Sequence, residues 1–112
     1  MRLRAFWYTV LVAALAAGCS RSAQHYLDSG NKYFAQERFR EAIVEYRNAV
    51  QKDPRSGEAR QKLAEAYMQV GNVQNGFQEY IRAADLLPRD KALQVKAGNL
   101  LLLAGRFDDA KV

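Results

Sequence analysis

The residue types that most often carry enzyme chemistry are sparse in this chain. His25 is the only histidine and Cys19 the only cysteine among 112 residues. A histidine-based metal site needs several nitrogen or sulfur ligands, and a serine–histidine–aspartate relay needs a histidine beside a nucleophile, so His25 lacks partners for either. We interpret His25 as a surface residue near a helix start. The adjacent acids Asp108 and Asp109 fit the positively polarised N-terminus of a helix better than acid–base catalysis.

Cofactor, substrate and nucleic-acid sites are equally hard to place. No glycine-rich phosphate loop is present. Four glycines fit helix caps and close helix packing instead: Gly71, Gly76, Gly98 and Gly105. The net charge of +5 is modest, and acidic and basic residues are interleaved along the chain, whereas nucleic-acid sites need clustered basic side chains. We therefore expect a non-enzymatic protein with no cofactor, metal, small-molecule substrate or nucleic-acid partner.

The residues before Cys19 have the features of a targeting segment. Met1–Arg4 is positively charged, and Ala5–Ala17 is an uncharged, mostly apolar run of thirteen residues. A membrane-spanning helix needs about 20 apolar residues, so this run is too short and predicts a secretory signal peptide. A single cysteine also excludes an internal disulfide framework.

Residues Leu15–Cys19 resemble a bacterial lipobox, in which small residues precede a cysteine that becomes the new N-terminus. The resemblance implies removal of residues 1–18, a lipid on Cys19, and a lipidated tether over residues 19–22. Each buried acyl CH₂ contributes about 0.8 kcal/mol, so two or three chains would hold the protein to a bilayer. Ser20 follows the cysteine, which by the same resemblance implies a cell-envelope lipoprotein of the outer membrane, facing the periplasm.

Two alternatives remain open for this N-terminal segment. Ala16 stands three residues before the cysteine, where leucine is commonest in a lipobox. Ordinary signal peptidase also accepts small-residue sites, and Ala14–Ala16 would suit it. The first alternative is therefore a secreted protein without lipid, and the second is an uncleaved anchor with a free thiol.

The rest of the chain is built on a unit of 34 residues. At this offset the identical pairs are Tyr33/Tyr67, Glu45/Glu79, Tyr46/Tyr80, Ala49/Ala83, Pro54/Pro88 and Arg55/Arg89. A fixed period of this length is typical of solenoid proteins. The units span residues 23–56 and 57–90, and a third, incomplete unit spans 91–112.

Each unit predicts two antiparallel helices, because apolar or small residues recur three to four positions apart. In the first unit the helices span roughly Ala23–Gln36 and Arg40–Lys52. We expect Gly30 to allow close approach of the pair, with Tyr46 filling the space beside it, and Ala49 to let the next unit approach. In the second unit Gly71 supplies a left-handed cap, and close packing explains Gly76 within a helix.

The third unit predicts one helix, a turn at Gly105-Arg106-Phe107, and a second helix cut within its first turns. Leu100–Ala104 is apolar on every side, which is typical of a buried helix. We hypothesise that the chain is truncated at its C-terminus and belongs to a longer array or a truncated reading frame.

The large–small–large pattern of the units resembles the tetratricopeptide repeat (TPR). In the first unit the matching residues are Tyr26, Gly30, Tyr33, Ala42, Tyr46, Ala49 and Pro54. Ser29 departs from the family pattern, where leucine is usual, and Arg60 stands where the second unit usually has an aromatic. The resemblance implies an all-α fold, an α-solenoid of antiparallel helix pairs (a TPR superhelix) with about two and a half repeats. Together with the N-terminal segment it resembles bacterial TPR lipoproteins.

The same resemblance implies that the first helix of each unit lines a concave, partner-binding face. The expected residues are Leu27, Asn31, Phe34, Gln61, Glu65, Met68, Val95, Asn99 and Leu102. The arrangement that clamps a C-terminal carboxylate needs Lys or Arg beside the asparagines, but Leu27, Glu65 and Val95 stand there. A mixed apolar and polar groove fits a helix or an extended segment of a protein partner.

Two functions from different classes follow from this resemblance. The favoured one is a non-catalytic protein–protein interaction scaffold that is tethered by lipid to the bacterial envelope and binds peptides or proteins, in envelope assembly or export. The alternative is the N-terminal TPR module of a larger envelope enzyme. A catalytic motif encoded beyond Val112 would favour the enzyme, whereas further 34-residue repeats would favour the scaffold.

Overall fold

The computed structural model describes residues 21–110, which form helices joined by short turns. The predicted signal peptide (1–18) and Cys19 lie outside these residues. The helices are α1 (Ala23–Ala35), α2 (Phe39–Lys52), α3 (Gly57–Gln69), α4 (Val73–Leu86) and α5 (Lys91–Ala110). The helices of the first unit begin and end within one residue of the predicted positions, which confirms them.

Side chains fix where most of these helices begin. The Ser22 hydroxyl accepts from the His25 amide at 3.2 Å at the start of α1, and the Ser56 hydroxyl accepts from the Ala59 amide at 3.2 Å at the start of α3. Asn72 and Asp90 cap α4 and α5 in the same way. Such N-caps satisfy backbone N–H groups that have no partner inside the helix, and each contributes about 1 kcal/mol.

The turns inside the two helix pairs share one geometry. After α3, the Asn72 amide donates to the Tyr67 carbonyl at 2.9 Å and the Gly71 amide to the Met68 carbonyl at 3.2 Å. Gly71 has φ +78°, which confirms its predicted role as a left-handed cap. The turn after α1 is the same, but Glu37 holds the left-handed position with φ +58°. Since a side chain there costs about 1 kcal/mol, the sequence pattern gave no reason to expect it.

Close helix packing explains the small residues. A Cβ placed on Gly30 would lie 2.5 Å from ring carbons of Tyr46, and one on Gly76 would lie 2.7 Å from the Met68 sulfur. Gly30 and Gly76 therefore let α1 meet α2 and α4 meet α3, as expected. Ala49 is fully buried in a core cluster with Ala59 and other residues of α3, so it does let the second unit approach the first.

The helix pairs stack into a small solenoid. α1 packs against α2 and α3 against α4, while α2·α3 and α4·α5 contacts join successive units. Two clusters form the core. The first joins α1, α2 and α3 around Tyr46 and Leu63, and the second joins α3, α4 and α5 around Tyr80 and Leu93. The predicted all-α solenoid fold is confirmed.

The third unit differs from its prediction. α5 runs without a break from Lys91 to Ala110, through the expected turn at Gly105-Arg106-Phe107. Leu100–Ala104 consists of strong helix formers, and one glycine inside a helix costs only about 1 kcal/mol, so Gly105 does not by itself end the helix.

The apolar stretch of α5 is not buried as expected. Leu101 is 53% exposed and Leu102 68% exposed. A Cβ on Gly98 would meet no atom within 4 Å, so close packing does not explain this glycine in the way it explains Gly30. Even so, none of the helices within residues 21–110 combines the length and the apolar character that crossing a membrane requires.

Candidate functional site

The first helices of the three units, α1, α3 and α5, line one side of the solenoid. Between them lies a concave cavity of about 300 Å³. Its lining residues are Phe34, Glu65, Met68, Gln69, Tyr80, Lys96 and Leu100. The cavity thus brings together three of the nine residues expected on the concave face, one from α1 and two from α3, and adds side chains that sequence reasoning did not select.

Aromatic rings shape the floor of the concave cavity. The Phe34 ring packs edge-on against Phe39 of α2, with centroids 5.1 Å apart. Tyr80 is almost fully buried below, and the Lys96 ammonium lies 4.7 Å from the centre of its ring. A cation over an aromatic face is attracted by the ring quadrupole. Lys96 therefore sits at a defined place in a cavity whose other charged residue is Glu65.

Asn31 is engaged within the protein. The Tyr46 hydroxyl donates to the Asn31 side-chain oxygen at 2.7 Å. Burial, and to a lesser degree the negative charge of Glu65, raise the pKa of Tyr46 to about 12, so the phenol keeps its proton and remains a donor. The Asn31 oxygen thus accepts a hydrogen bond inside the protein, which fixes the orientation of this side chain.

The other residues expected on the concave face do not line the cavity. Leu27 is only 4% exposed and belongs to the core, so it offers a partner almost no surface. Gln61 is half-buried, whereas Asn99 is exposed near the middle of α5. Val95 and Leu102, also on α5, are 63% and 68% exposed. Whether these residues contact a partner stays a prediction.

A larger cavity lies on another side, among α2, α3 and α4. It has a volume of about 540 Å³, and Arg47, Arg60, Glu79 and Arg82 are its charged residues. The largely buried Glu79 carboxylate accepts from Arg60 at 2.9 Å and from Arg82 at 3.1 Å. Arg60 also donates to the Pro54 carbonyl at 2.9 Å, which ties α3 to the preceding turn.

This ion-pair network gives Arg60 a structural role. The family pattern predicts an aromatic residue at position 60. The arginine found there was the one sign in the sequence that an ion pair replaces aromatic packing at this position. A largely buried carboxylate needs such partners, because leaving it unpaired would cost several kcal/mol. Since Glu79 already holds two of the guanidinium groups here, we take the concave cavity, and not this one, as the candidate site.

Among the residues that the structure describes, no group of three or more His, Cys, Asp or Glu side chains is placed to hold a metal ion. The concave cavity itself combines apolar and aromatic surface with one acid, one amine and one amide. Such a surface can bind a segment of another molecule by burial and charge pairing.

Part of the solenoid matches a known family of repeats. Residues 30–71 match the family described as TPR repeat, a stretch from the middle of α1 to the end of α3. The chain is also 26% identical over 89 residues to U-box domain-containing protein 70 of Oryza sativa subsp. japonica. That alignment covers 80% of this chain and 11% of the rice protein, so the chain spans about a tenth of that curated relative.

TPR repeats are typical of proteins that bind other proteins, and the repeat match agrees with the stacked helix pairs described above. The TPR repeat match over residues 30–71 agrees with the 34-residue period of packed helix pairs, and the fold of the described residues is a small helical solenoid.

Proposed function

We propose that this chain is a non-catalytic protein–protein interaction scaffold, held by a lipid on Cys19 to the bacterial envelope. The observation that carries the binding role is the concave cavity, in which α1, α3 and α5 present Phe34, Met68 and Leu100 beside Glu65 and Lys96. Burial of the apolar side chains would supply affinity, and the two charges would set the orientation of the bound segment.

The chemistry of the cavity indicates the kind of segment it binds. Its volume of about 300 Å³ is at the lower end of the range for ligand pockets and is enough for one or two side chains of a partner. Lys96 favours an acidic group on that segment, and the neighbouring apolar residues favour an aliphatic or aromatic side chain. We therefore propose a helix or an extended segment of a protein, in envelope assembly or export, as the partner.

Reversing one charge tests this site. Lys96→Glu should reduce the partner that co-purifies from detergent-solubilised envelopes by about five- to tenfold, because it places two acids in the cavity. Quantitative mass spectrometry of the co-purified proteins measures the loss. Lys91→Glu is the matched control, since Lys91 is exposed on the same helix and does not line the cavity. Equal losses from both variants would argue against the concave cavity.

The tether rests on the sequence alone. The positively charged Met1–Arg4, the apolar Ala5–Ala17 and the small residues before Cys19 support a lipoprotein, and Ser20 supports outer-membrane localisation facing the periplasm. Intact mass of the protein extracted from membranes should show loss of residues 1–18 and the addition of acyl chains. A mature chain with a free thiol would remove the tether while leaving the binding role intact.

One alternative function stays open. An N-terminal module of a larger envelope enzyme would have the same repeats and the same tether, and the rice relative is itself much longer than this chain. A catalytic motif encoded beyond Val112 would favour this alternative, whereas further 34-residue repeats would favour the scaffold.

A further inference from the structure

The cavity among α2, α3 and α4 carries more positive charge than its carboxylate balances. Its charged residues are one acid, Glu79, and three bases, Arg47, Arg60 and Arg82. Each Glu79 oxygen accepts from a different base, Oε2 from Arg60 at 2.9 Å and Oε1 from Arg82 at 3.1 Å. Within residues 21–105, Arg47 forms no ion pair. Three positive charges and one negative charge therefore leave a net charge of +2 in this cavity.

Glu79 holds two of the guanidinium groups in place and leaves most of their donors unused. A guanidinium group has five N–H donors. Arg60 uses two of them within residues 21–105, one on Glu79 and one on the Pro54 carbonyl. Arg82 uses one, on Glu79. A ligand therefore meets donors that are already oriented, which lowers the entropy that is lost on binding.

Neutral side chains complete the lining of this cavity. Gln51, Asn75 and Gln78 contribute amides, each of which can donate and accept hydrogen bonds as a hydroxyl group requires. Val50 and Leu63 contribute apolar surface. The volume of about 540 Å³ lies within the range of roughly 300 to 1,000 Å³ that is typical of small-molecule sites. The cavity therefore has room for a charged group together with the body that carries it.

We propose that this cavity binds a phosphate monoester on a hydroxyl-rich body, such as a sugar phosphate, either free or as the headgroup of a lipid. A phosphate monoester carries a charge of about −1.5 to −2 at pH 7, which matches the charge of the cavity, whereas a carboxylate carries a single charge. Guanidinium groups bind phosphate through paired hydrogen bonds. The amides bind the hydroxyl groups of the body. This inference does not depend on the concave cavity or on Cys19.

Calorimetric titration of the full chain tests the ligand class. The titration uses mild detergent and a phosphate-free buffer of low ionic strength, because salt screens charge pairing. Glucose 6-phosphate should bind saturably, and glucose, which lacks the charge, at least about tenfold more weakly. Inorganic phosphate should bind more weakly than glucose 6-phosphate, since it has no body to contact the amides. Equal binding of glucose and glucose 6-phosphate would overturn the proposal.

Variants of the protein localise the binding. Arg47→Gln should weaken glucose 6-phosphate binding by about tenfold, because it removes a charged donor. The helix content should not change, since Arg47 is exposed. Arg40→Gln is the matched control, because Arg40 is exposed on the same helix and does not line this cavity. Gln51→Ala should weaken glucose 6-phosphate binding by about threefold and leave inorganic phosphate binding unchanged. Equal affinities of Arg47→Gln and Arg40→Gln would overturn the proposal.

A lipid arm distinguishes the two sources of the phosphate monoester. Phosphatidylcholine nanodiscs with and without phosphatidylinositol 4-phosphate present the same chemistry on a headgroup. A lipid tether would insert equally in both variants, so weaker binding of Arg47→Gln than of Arg40→Gln reports the cavity alone. Dependence on Arg47 with glucose 6-phosphate supports a free ligand, and dependence on Arg47 only with the nanodiscs supports a headgroup. Dependence on Arg47 with neither probe would overturn the proposal.

Discussion

Tyr46→Ala is expected to lower the free energy of unfolding by about 4 kcal/mol, the range found when a large buried ring is removed from a core. Tyr46 is fully buried, and its ring is the surface on which α1 and α2 meet at Gly30. A folded domain has only about 5 to 15 kcal/mol to lose, so most of the cooperative transition should disappear. Urea unfolding, followed by the helix signal in circular dichroism at ~222 nm, measures the change in the free energy of unfolding.

Tyr46→Phe separates the ring from its hydroxyl. This variant keeps the packing but loses the 2.7 Å hydrogen bond to Asn31, so the expected loss is only about 1 kcal/mol. Asn31 is half-buried and can turn its freed oxygen to water. If the alanine and phenylalanine variants are equally destabilised, the ring is not the element that holds the first helix pair together.

Gly30→Leu is expected to cost about 3 kcal/mol, because the new side chain would occupy the space of the Tyr46 ring. The gain in helix propensity of up to about 1 kcal/mol cannot offset this overlap. Gly98→Leu is the matched control at the same position of the third unit. It meets no atom within 4 Å, so the propensity gain should remain and the variant should be slightly more stable than the parent.

Thermal unfolding of the two glycine variants checks this contrast. The unfolding midpoint should fall steeply for Gly30→Leu and stay level or rise for Gly98→Leu. Similar destabilisation of both would mean that Gly98 is packed as closely as Gly30, and would contradict this contrast.

Residue spacing alone was sufficient to predict the repeated part of the fold. Helix pairs, their bounds and the close contact at Gly30 follow from a period of 34 residues, because each small or aromatic position recurs where the packing requires it. Gly71 could be predicted as a left-handed cap for a similar reason, since glycine adopts that conformation without strain.

The structural features that the repeat pattern did not predict occur at residues that depart from that pattern. Arg60 replaces an aromatic, and only the structure shows that it pairs with Glu79, 19 positions further along. Glu37 adopts a left-handed conformation that its residue type disfavours, because the same turn must form in both units. The unbroken α5 was not anticipated, because periodicity marks where a turn belongs, whereas the strong helix formers Leu100–Ala104 carry the helix through Gly105.

The candidate site was predicted only in part. Phe34, Glu65 and Met68 reach the concave cavity, but Leu27 lies in the core, because the pattern assigns a residue to a helix face without stating how deeply that face is covered. The sequence did not identify Lys96 as a residue of the cavity. Its place above the Tyr80 ring depends on how α5 lies across α3 and α4, which sequence periodicity does not contain.

We expect the concave side of the solenoid, and not the side formed by α2 and α4, to bind a protein partner. Photo-crosslinking from benzoylphenylalanine in living cells tests it most directly. Gln69 and Gln78 are both exposed, and they line the concave cavity and the cavity among α2, α3 and α4, respectively. We predict a protein adduct from position 69 and none from position 78. An adduct from position 78 alone, or from neither position, would contradict the account.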